Sequence, residues 1–228
     1  MSQPLPPRLP EEVLAKAASL PKKPAPVFLT GKIIRLEPFA PAQHLEPLYA
    51  VGNGEPIRIG EREWAGYDPD EAIWRFMSAG PFPTLADFQR YMQMQYDAPD
   101  GTPFAVFSQE WEHPVGVVNL MANYPGHLKI ELGSIWYSPI AQRTGANTEA
   151  TYLLLKHLFD LGYRRVEWKC NVLNERSRQA AEKMGFRFEG IQECHYIFKG
   201  RSRDTAWLRL LDREWEDVKR MLEARLYG

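Results

Sequence analysis

The sequence predicts a mixed α/β fold of the α+β type. One observation is a run of strand-like segments in the middle of the chain, between Phe104 and Ser138, with no helical pattern among them. A second is a single strand–helix–strand crossover after that run, in place of the regular alternation of a doubly wound sheet. A third is size: 228 residues with 44% apolar content suffice for one substantial core, hence one domain with an appended segment.

The elements follow in chain order. Residues 1–26 carry seven prolines around EEVLAKAASL and read as a tail or an arm laid over the surface. Order is expected from Val27, so that 27–228 form the domain. GKIIRLEPF has strand alternation, and APAQHLEPLYAVGNG reads as a helix stopped by Gly and Asn. The stretch from Gly60 to Pro83 mixes acids with aromatic residues and gives no clear period. TLADFQRYMQMQY places Leu85, Phe88, Tyr91, Met92 and Tyr96 on one helical stripe, with Thr84 as N-cap. FAVFSQEWEHPVGVVNLM reads as two strands around a polar turn and HLKIELGSIWYS as a third. A loop and a helix follow, then the strand RRVEWKCNV and the helix NERSRQAAEKMGF closed by Gly185. IQECHYIFKGRSRDTAWLRLLDREW is a hairpin turning at Lys199-Gly200, and EDVKRMLEARL a last helix. No internal repeat is visible.

Composition narrows the function. Twenty-eight basic residues against 29 acidic ones call for neither nucleic acid nor an anionic membrane as partner. No apolar run reaches the roughly 18 residues of a spanning helix, and MSQPLPPRLPEEV has no signal-peptide pattern. A soluble, cytoplasmic protein is expected. Cys170 and Cys194 form no CxxC pair and are expected to be reduced thiols. The five histidines have no metal-ligand spacing, so no metal is expected.

The chemistry concentrates in SPIAQRTGANTEATYLLLKHLF, where a strand passes through a small polar loop into a helix. A helix start exposes unpaired N–H groups and the positive end of the backbone dipole, so it attracts anions. Gly145 can adopt a positive φ, and Ala146 adds little bulk. Gln142, Arg143, Thr144, Asn147 and Thr148 add donors, which suits a diphosphate. The same residues also make an ordinary cap and turn. Glu149 in the first turn fits an anion site only if its carboxylate points away from the mouth.

The loop, read as Gln142-Arg-Thr-Gly145-Ala-Asn147 followed by Thr148-Glu149-Ala150, resembles the acetyl-CoA signature of the GNAT superfamily of N-acetyltransferases, particularly its RimJ/RimL-type branch. Asn174, Ser177, Lys183, Gly185, Phe186, Glu189 and Gly190 fit the same branch, as does GRSRDTAWLRLLDREW. The resemblance runs from about Lys32 to Trp215 and is dense from Gly116 onward. It implies a mixed, mostly antiparallel central sheet flanked by helices, with a splayed central strand, IELGSIWYSP, that binds coenzyme A. Two positions depart from the pattern. Asn147 stands where Gly or Ala is usual, and Ala181 where many members carry a tyrosine as general acid.

The resemblance also implies roles. Backbone groups of Ile135, Trp136 and Tyr137 would pair with the pantetheine arm of acetyl-CoA. Gln142, Arg143, Thr144, Gly145, Ala146, Asn147 and Thr148 would hold the diphosphate, and Asn174 would reach the pantetheine amide. Ser177 would donate to the leaving sulfur, or it is only a turn residue at the start of its helix. A thiol of pKa about 8.5 is a tolerable leaving group in any case. The base that takes the amine proton is Glu131, His195 (whose unperturbed imidazole titrates at about pH 6.5) or a water chain. A Cys194–His195 nucleophilic dyad is rejected, because strand neighbours point to opposite faces.

Trp64, Tyr67, Trp74, Phe82 and Tyr196 are candidate walls for the acceptor, with Glu61, Glu63, Asp68, Asp70 and Glu71 as attractors for a cation. All of these equally suit a core and a wet loop. The expected activity is direct acetyl transfer from acetyl-CoA to a primary amine, on a small molecule or a protein N-terminus, by a monomer or homodimer. The rival is a non-catalytic acyl-CoA-binding or sensing protein of the same fold. A nucleotide-phosphate protein of another class is disfavoured, since neither GxxxxGK[ST] nor GxGxxG occurs.

Overall fold

Alternating apolar residues in the middle of the chain build one broad sheet. The structure, a computed structural model, describes residues 5–228. In chain order the elements are α1 (Glu11–Ser19), β1 (Leu29–Thr30), β2 (Ile34–Pro38), α2 (Pro41–Ala50), β3 (Ile57–Ile59) and β4 (Arg62–Trp64). Then come α3 (Leu85–Tyr96), β5 (Thr102–Ser108), β6 (His113–Tyr124), β7 (Lys129–Tyr137) and α4 (Ala146–Asp160). The chain closes with β8 (Arg165–Asn171), α5 (Glu175–Lys183), β9 (Arg187–Phe198), β10 (Arg201–Leu211) and α6 (Asp212–Tyr227). Eight strands form one sheet in the order β1-β2-β5-β6-β7-β8-β10-β9, while β3 and β4 pair apart. Every pairing in the large sheet is antiparallel except β7 with β8, the two strands joined through α4. The fold is thus the mixed, mostly antiparallel α/β class predicted, flanked by helices.

The two faces carry separate cores. On one, Leu154, Leu155 and Leu158 of α4, Met184 and Phe186 after α5, and Leu222 of α6 cover Ile130, Leu132, Val166, Leu208 and Leu210. On the other, Leu48 of α2 and Phe88 and Met92 of α3 cover Ala105, Val117 and Trp136. Each fully buried side chain of this size contributes about 2 kcal/mol. Thr84 caps α3, accepting from Asp87 N at 3.2 Å. Both residues of the Lys199-Gly200 turn have positive φ, the geometry of a tight hairpin. No helix among the described residues is long and apolar enough to cross a membrane.

In the proline-rich segment the onset of order differs from expectation. Residues Met1 to Pro4 lie outside the described residues, but the defined path starts well before Val27. Asn123 Nδ2 donates to the carbonyls of Pro21 and Lys22, both at 3.0 Å, and Thr102 Oγ1 donates to Pro24 O at 2.7 Å. Tyr163 donates to Asn123 Oδ1 at 2.9 Å, so a fully buried amide is satisfied while fastening the arm. These bonds span 40 to 102 residues of sequence, beyond the reach of any local pattern.

One irregularity positions the site. Strands β7 and β8 pair from Lys129↔Arg165 to Leu132↔Trp168 and no further. Beyond Leu132, β7 keeps its bonds to β6 as far as Gly116↔Tyr137, and β8 keeps its own to β10 as far as Thr205↔Asn171. The β6–β7 register slips between Asn119↔Gly133 and Val117↔Trp136, with Ser134 at φ +46°. Such a bulge bends a strand, and here β7 leaves β8 where it occurs.

Candidate active site

The parting of β7 from β8 opens a cleft of about 840 Å³. Its walls include Gly133 to Tyr137 of β7, the loop Gln142 to Gly145, Asn147 and Thr148 at the start of α4, and Trp168 to Asn171 of β8. Asn174, Ser177 and Ala180 of the α5 segment close one side, and Tyr196, Phe198 and Arg203 of the β9–β10 hairpin another.

At one end lies the start of α4. Gly145 precedes the helix at φ +93°, with Arg143 at φ +65° beside it. The N–H groups of Arg143, Thr144, Gly145, Asn147 and Thr148 have no acceptor among the described residues. Asn147 Oδ1 is buried without a donor. This concentration of unspent N–H groups fits an oxyanion such as a diphosphate. Three side chains depart from the roles expected of them. Gln142 Nε2 donates to Ala72 O and Tyr137 O, both at 3.0 Å, so its amide ties the loop in place. Thr144 Oγ1 donates to Ala141 O at 2.7 Å and accepts from Ala146 N. Ala146 is buried, with its own N–H spent on that contact.

Glu149 points away from the mouth. Its fully buried carboxylate accepts from the amides of Lys32, Ile33 and Ile34 at 2.7 to 2.8 Å and from Tyr227 O–H at 2.8 Å. Its negative charge therefore anchors the turn before β2 to α4 and to the end of α6. Four donors make that burial tolerable.

The wall formed by β8 and α5 holds two of the expected residues. Asn174 caps α5, its Oδ1 accepting from Ser177 N at 3.1 Å, which leaves its NH2 for other partners. Ser177 Oγ accepts from Trp168 Nε1 at 3.0 Å, so its own proton remains available. Ala180 lines the cleft, whereas Ala181 is 0% exposed in the core behind it. Neither alanine supplies an acidic proton.

Glu131 lies on the cleft wall at 6% exposure, with its Oε2 2.6 Å from Lys169 Nζ. Burial raises its pKa, and Lys169 pulls part of that rise back. His195 is not among the residues lining the cleft. Its ring lies against Tyr196 at 3.8 Å and Trp207 at 5.7 Å, and its Nδ1 is buried without a partner. Burial, together with the charges of Lys169 and Arg203, pushes its pKa down, so it is neutral at pH 7. The geometric premise used against the Cys194–His195 dyad fails locally, because Cys194 occupies a bulge at φ +48°. Its exposed thiol still has no bond to His195, and its N–H donates to Asp204 Oδ1 at 2.8 Å.

Of the five expected acceptor walls, only Tyr196 lines the cleft. Trp74 is a core residue at 1% exposure, its Nε1 donating to Gly52 O at 2.8 Å. Phe82 packs on Trp74 and Tyr91, with ring centres 4.9 and 5.0 Å away. Tyr67 donates to Val51 O at 2.8 Å, and Trp64 packs on Trp111. Trp74 and Phe82 thus belong to the second core, while Trp64 and Tyr67 are held outside the cleft. Of the acids, Glu71 reaches the cleft but is paired with Arg75 and Arg176. Asp70 pairs with Lys199 at 3.5 Å, Glu63 with Arg58 at 3.0 Å, and Asp68 caps Asp70 N and Glu71 N. Glu61 is exposed and does not line the cleft.

Sequence reasoning missed Lys169 and Arg203. The alternation in RRVEWKCNV places Lys169 opposite the buried Trp168 and Cys170, but its meeting with Glu131 depends on the register of two strands joined through a helix.

The acetyltransferase (GNAT) domain family matches residues 34–187, more than half of the chain. The chain belongs to the GNAT acetyltransferases. Among solved structures, a GCN5-related N-acetyltransferase from Brucella melitensis is 36% identical, with a TM-score of 0.82 over 91% of this chain and 88% of that one. A GNAT-family protein from Chromobacterium violaceum ATCC 12472 is 29% identical, with a TM-score of 0.77 over 94% and 100% of the two chains. No curated protein sequence matches the chain. The GNAT match takes in the strand divergence, the loop before α4 and all of α5, and it ends as β9 begins. The β9–β10 hairpin, with Tyr196 and Arg203, lies beyond it. GNAT acetyltransferases use acetyl-CoA as donor.

Proposed function

We propose that the chain moves an acetyl group from acetyl-CoA directly to a primary amine, both substrates being bound together in the cleft. The observation that carries this is the parting of β7 and β8, with unspent α4 amides at one end and a buried carboxylate on the wall. Motifs running from the loop through the hairpin support the RimJ/RimL-type branch. The amides of Arg143, Thr144, Gly145, Asn147 and Thr148 hold the diphosphate. The freed edge of β7 at Ile135 to Tyr137 pairs with the pantetheine arm as an added strand would.

Acetyl-CoA supplies its acetyl group as a thioester, so the new C–N bond forms as the C–S bond breaks and the electron pair leaves on sulfur. Glu131 takes the proton that the attacking amine gives up; its raised pKa makes it a stronger base than an ordinary carboxylate. Ser177, whose oxygen is already held by Trp168, returns a proton to the sulfur. The acceptor is a small-molecule amine or a protein N-terminus, and the working unit a monomer or homodimer.

The test combines calorimetric titration of acetyl-CoA with thiol release across an amine panel. Binding together with amine-dependent thiol release is expected. Tight binding without release from any amine would favour the second reading, a non-catalytic acyl-CoA-binding or sensing protein. That reading draws on Ala180 and Ala181, which leave the α5 wall of the cleft without a phenolic acid.

A further inference from the structure

Arg203 stands on β10 directly across from Tyr196 of β9, where the hairpin forms a wall of the cleft. Its guanidinium carbon lies over two aromatic rings, 5.6 Å from the centre of Tyr196 and 4.7 Å from that of Phe198. Rings covering a guanidinium leave its N–H edge free for bonds in the plane.

Other partly buried arginines of the sheet are neutralised. Arg35 pairs with Glu37 and Glu112, Arg165 with Glu167 and Glu189, and Arg209 with Glu189 and Glu214. Arg203 has no carboxylate within ion-pair distance among the described residues, and its Nε is buried without an acceptor. Glu131 acts on it only at longer range and is already joined to Lys169. This side of the cleft therefore holds two cations, Lys169 and Arg203, against the one carboxylate of Glu131. A partly buried cation without a counter-ion is costly, and a ligand that brings the missing negative charge removes that cost.

We propose that Arg203 binds a carboxylate carried by the acceptor, so that the amine acetylated is an aminocarboxylate. This rests on the acetyltransferase reading and adds to it the substrate class. The carboxylate comes from a free amino acid or from an acidic residue that opens a peptide.

Thiol release from acetyl-CoA is measured with L-amino acids, each paired with its carboxamide, and with tripeptides opening on Asp or Glu, each paired with Asn or Gln. The carboxylate member should be preferred by about tenfold or more in kcat/KM, mainly through KM, as expected for a charge-assisted fork contact. Preference within the amino-acid pairs assigns a free amino acid, and within the tripeptide pairs an acidic peptide start. The preference should vanish in Arg203→Met and partly return in Arg203→Lys. Equal use of paired members by the wild type, or a preference unchanged in Arg203→Met, would overturn the proposal. So would loss of acetyl-CoA affinity in that variant, which would assign Arg203 to the donor. If no pair turns over, calorimetric titration of the same pairs into the CoA complex separates the two ideas. A carboxylate preference there sustains the Arg203 site without turnover, and no preference ends the Arg203 proposal, while the transferase reading stands or falls on the wider amine panel.

Discussion

Glu131 of β7 and Lys169 of β8 meet at 2.6 Å, where the two parallel strands stop pairing. The contact straddles the last shared rung, Leu132↔Trp168, and places a cation beside the carboxylate on the cleft wall. Its energetics are those of a buried pair, in which removing one partner costs more than the intact pair contributes.

Glu131→Gln should lower kcat about a hundredfold, within the range for loss of a general base, and should leave acetyl-CoA affinity nearly unchanged. Steady-state kinetics and calorimetry measure the two quantities. A base acts deprotonated, so kcat/KM should fall as pH drops through the raised pKa of Glu131. That acid limb should lie at higher pH than an ordinary carboxylate gives, and it should disappear in the variant. A limb retained in Glu131→Gln would move the role to a water chain.

Ser177→Ala tests the proton returned to sulfur. Trp168 Nε1 loses its acceptor, which should cost about 1 kcal/mol in chemical denaturation. A roughly tenfold fall in kcat should accompany it. Lowered stability with kcat intact would reduce Ser177 to a packing partner of the indole.

Gly145→Val acts through the loop's own scaffold. A Cβ there would sit 3.0 Å from Ile33 Cδ1, and φ +93° is a conformation that a β-branched residue adopts only under strain. The expected outcome is about 2 kcal/mol of lost stability, together with weaker acetyl-CoA binding as the first turn of α4 shifts. Thermal unfolding and calorimetry read both. Unaltered stability with lost binding would instead place the new side chain in the path of the diphosphate.

Glu149→Gln replaces a carboxylate that serves four donors with an amide that turns two hydrogens toward them. A loss of about 3 kcal/mol is expected. Acetyl-CoA affinity should fall with it, since α4 is held to β2 through this group. A change below about 1 kcal/mol would mean that the turn at Lys32 to Ile34 holds without it.

Local chemistry made much of the fold legible. The cap at Thr84, the turn at Lys199-Gly200 and the strand alternation each depend on a few neighbouring residues, and all appear in the structure. The start of α4 after Gly145 was legible for the same reason, because its positive φ and its free N–H groups depend on contiguous residues. The aromatic residues between Trp64 and Phe82 were not, since the same composition suits a core or a pocket and only the packing of Trp74 against Trp136 and Phe88 decides. The Glu131–Lys169 pair depends on register across a crossover, and the arm's path on Asn123, both contacts far apart in the chain. Gln142 was assigned to a ligand because nothing local shows that Ala72 O and Tyr137 O lie within its reach.

The short ladder between β7 and β8 divides the sheet into two plates, β1-β2-β5-β6-β7 and β8-β10-β9, riveted at four paired positions. Any breathing of the molecule concentrates along that seam, because the hydrogen bonds within each plate run much longer. On the proposed function, a donor wedged into the seam should stiffen it, so amide deuteration of β8 should slow on addition of acetyl-CoA while the β8–β10 ladder keeps its bonds.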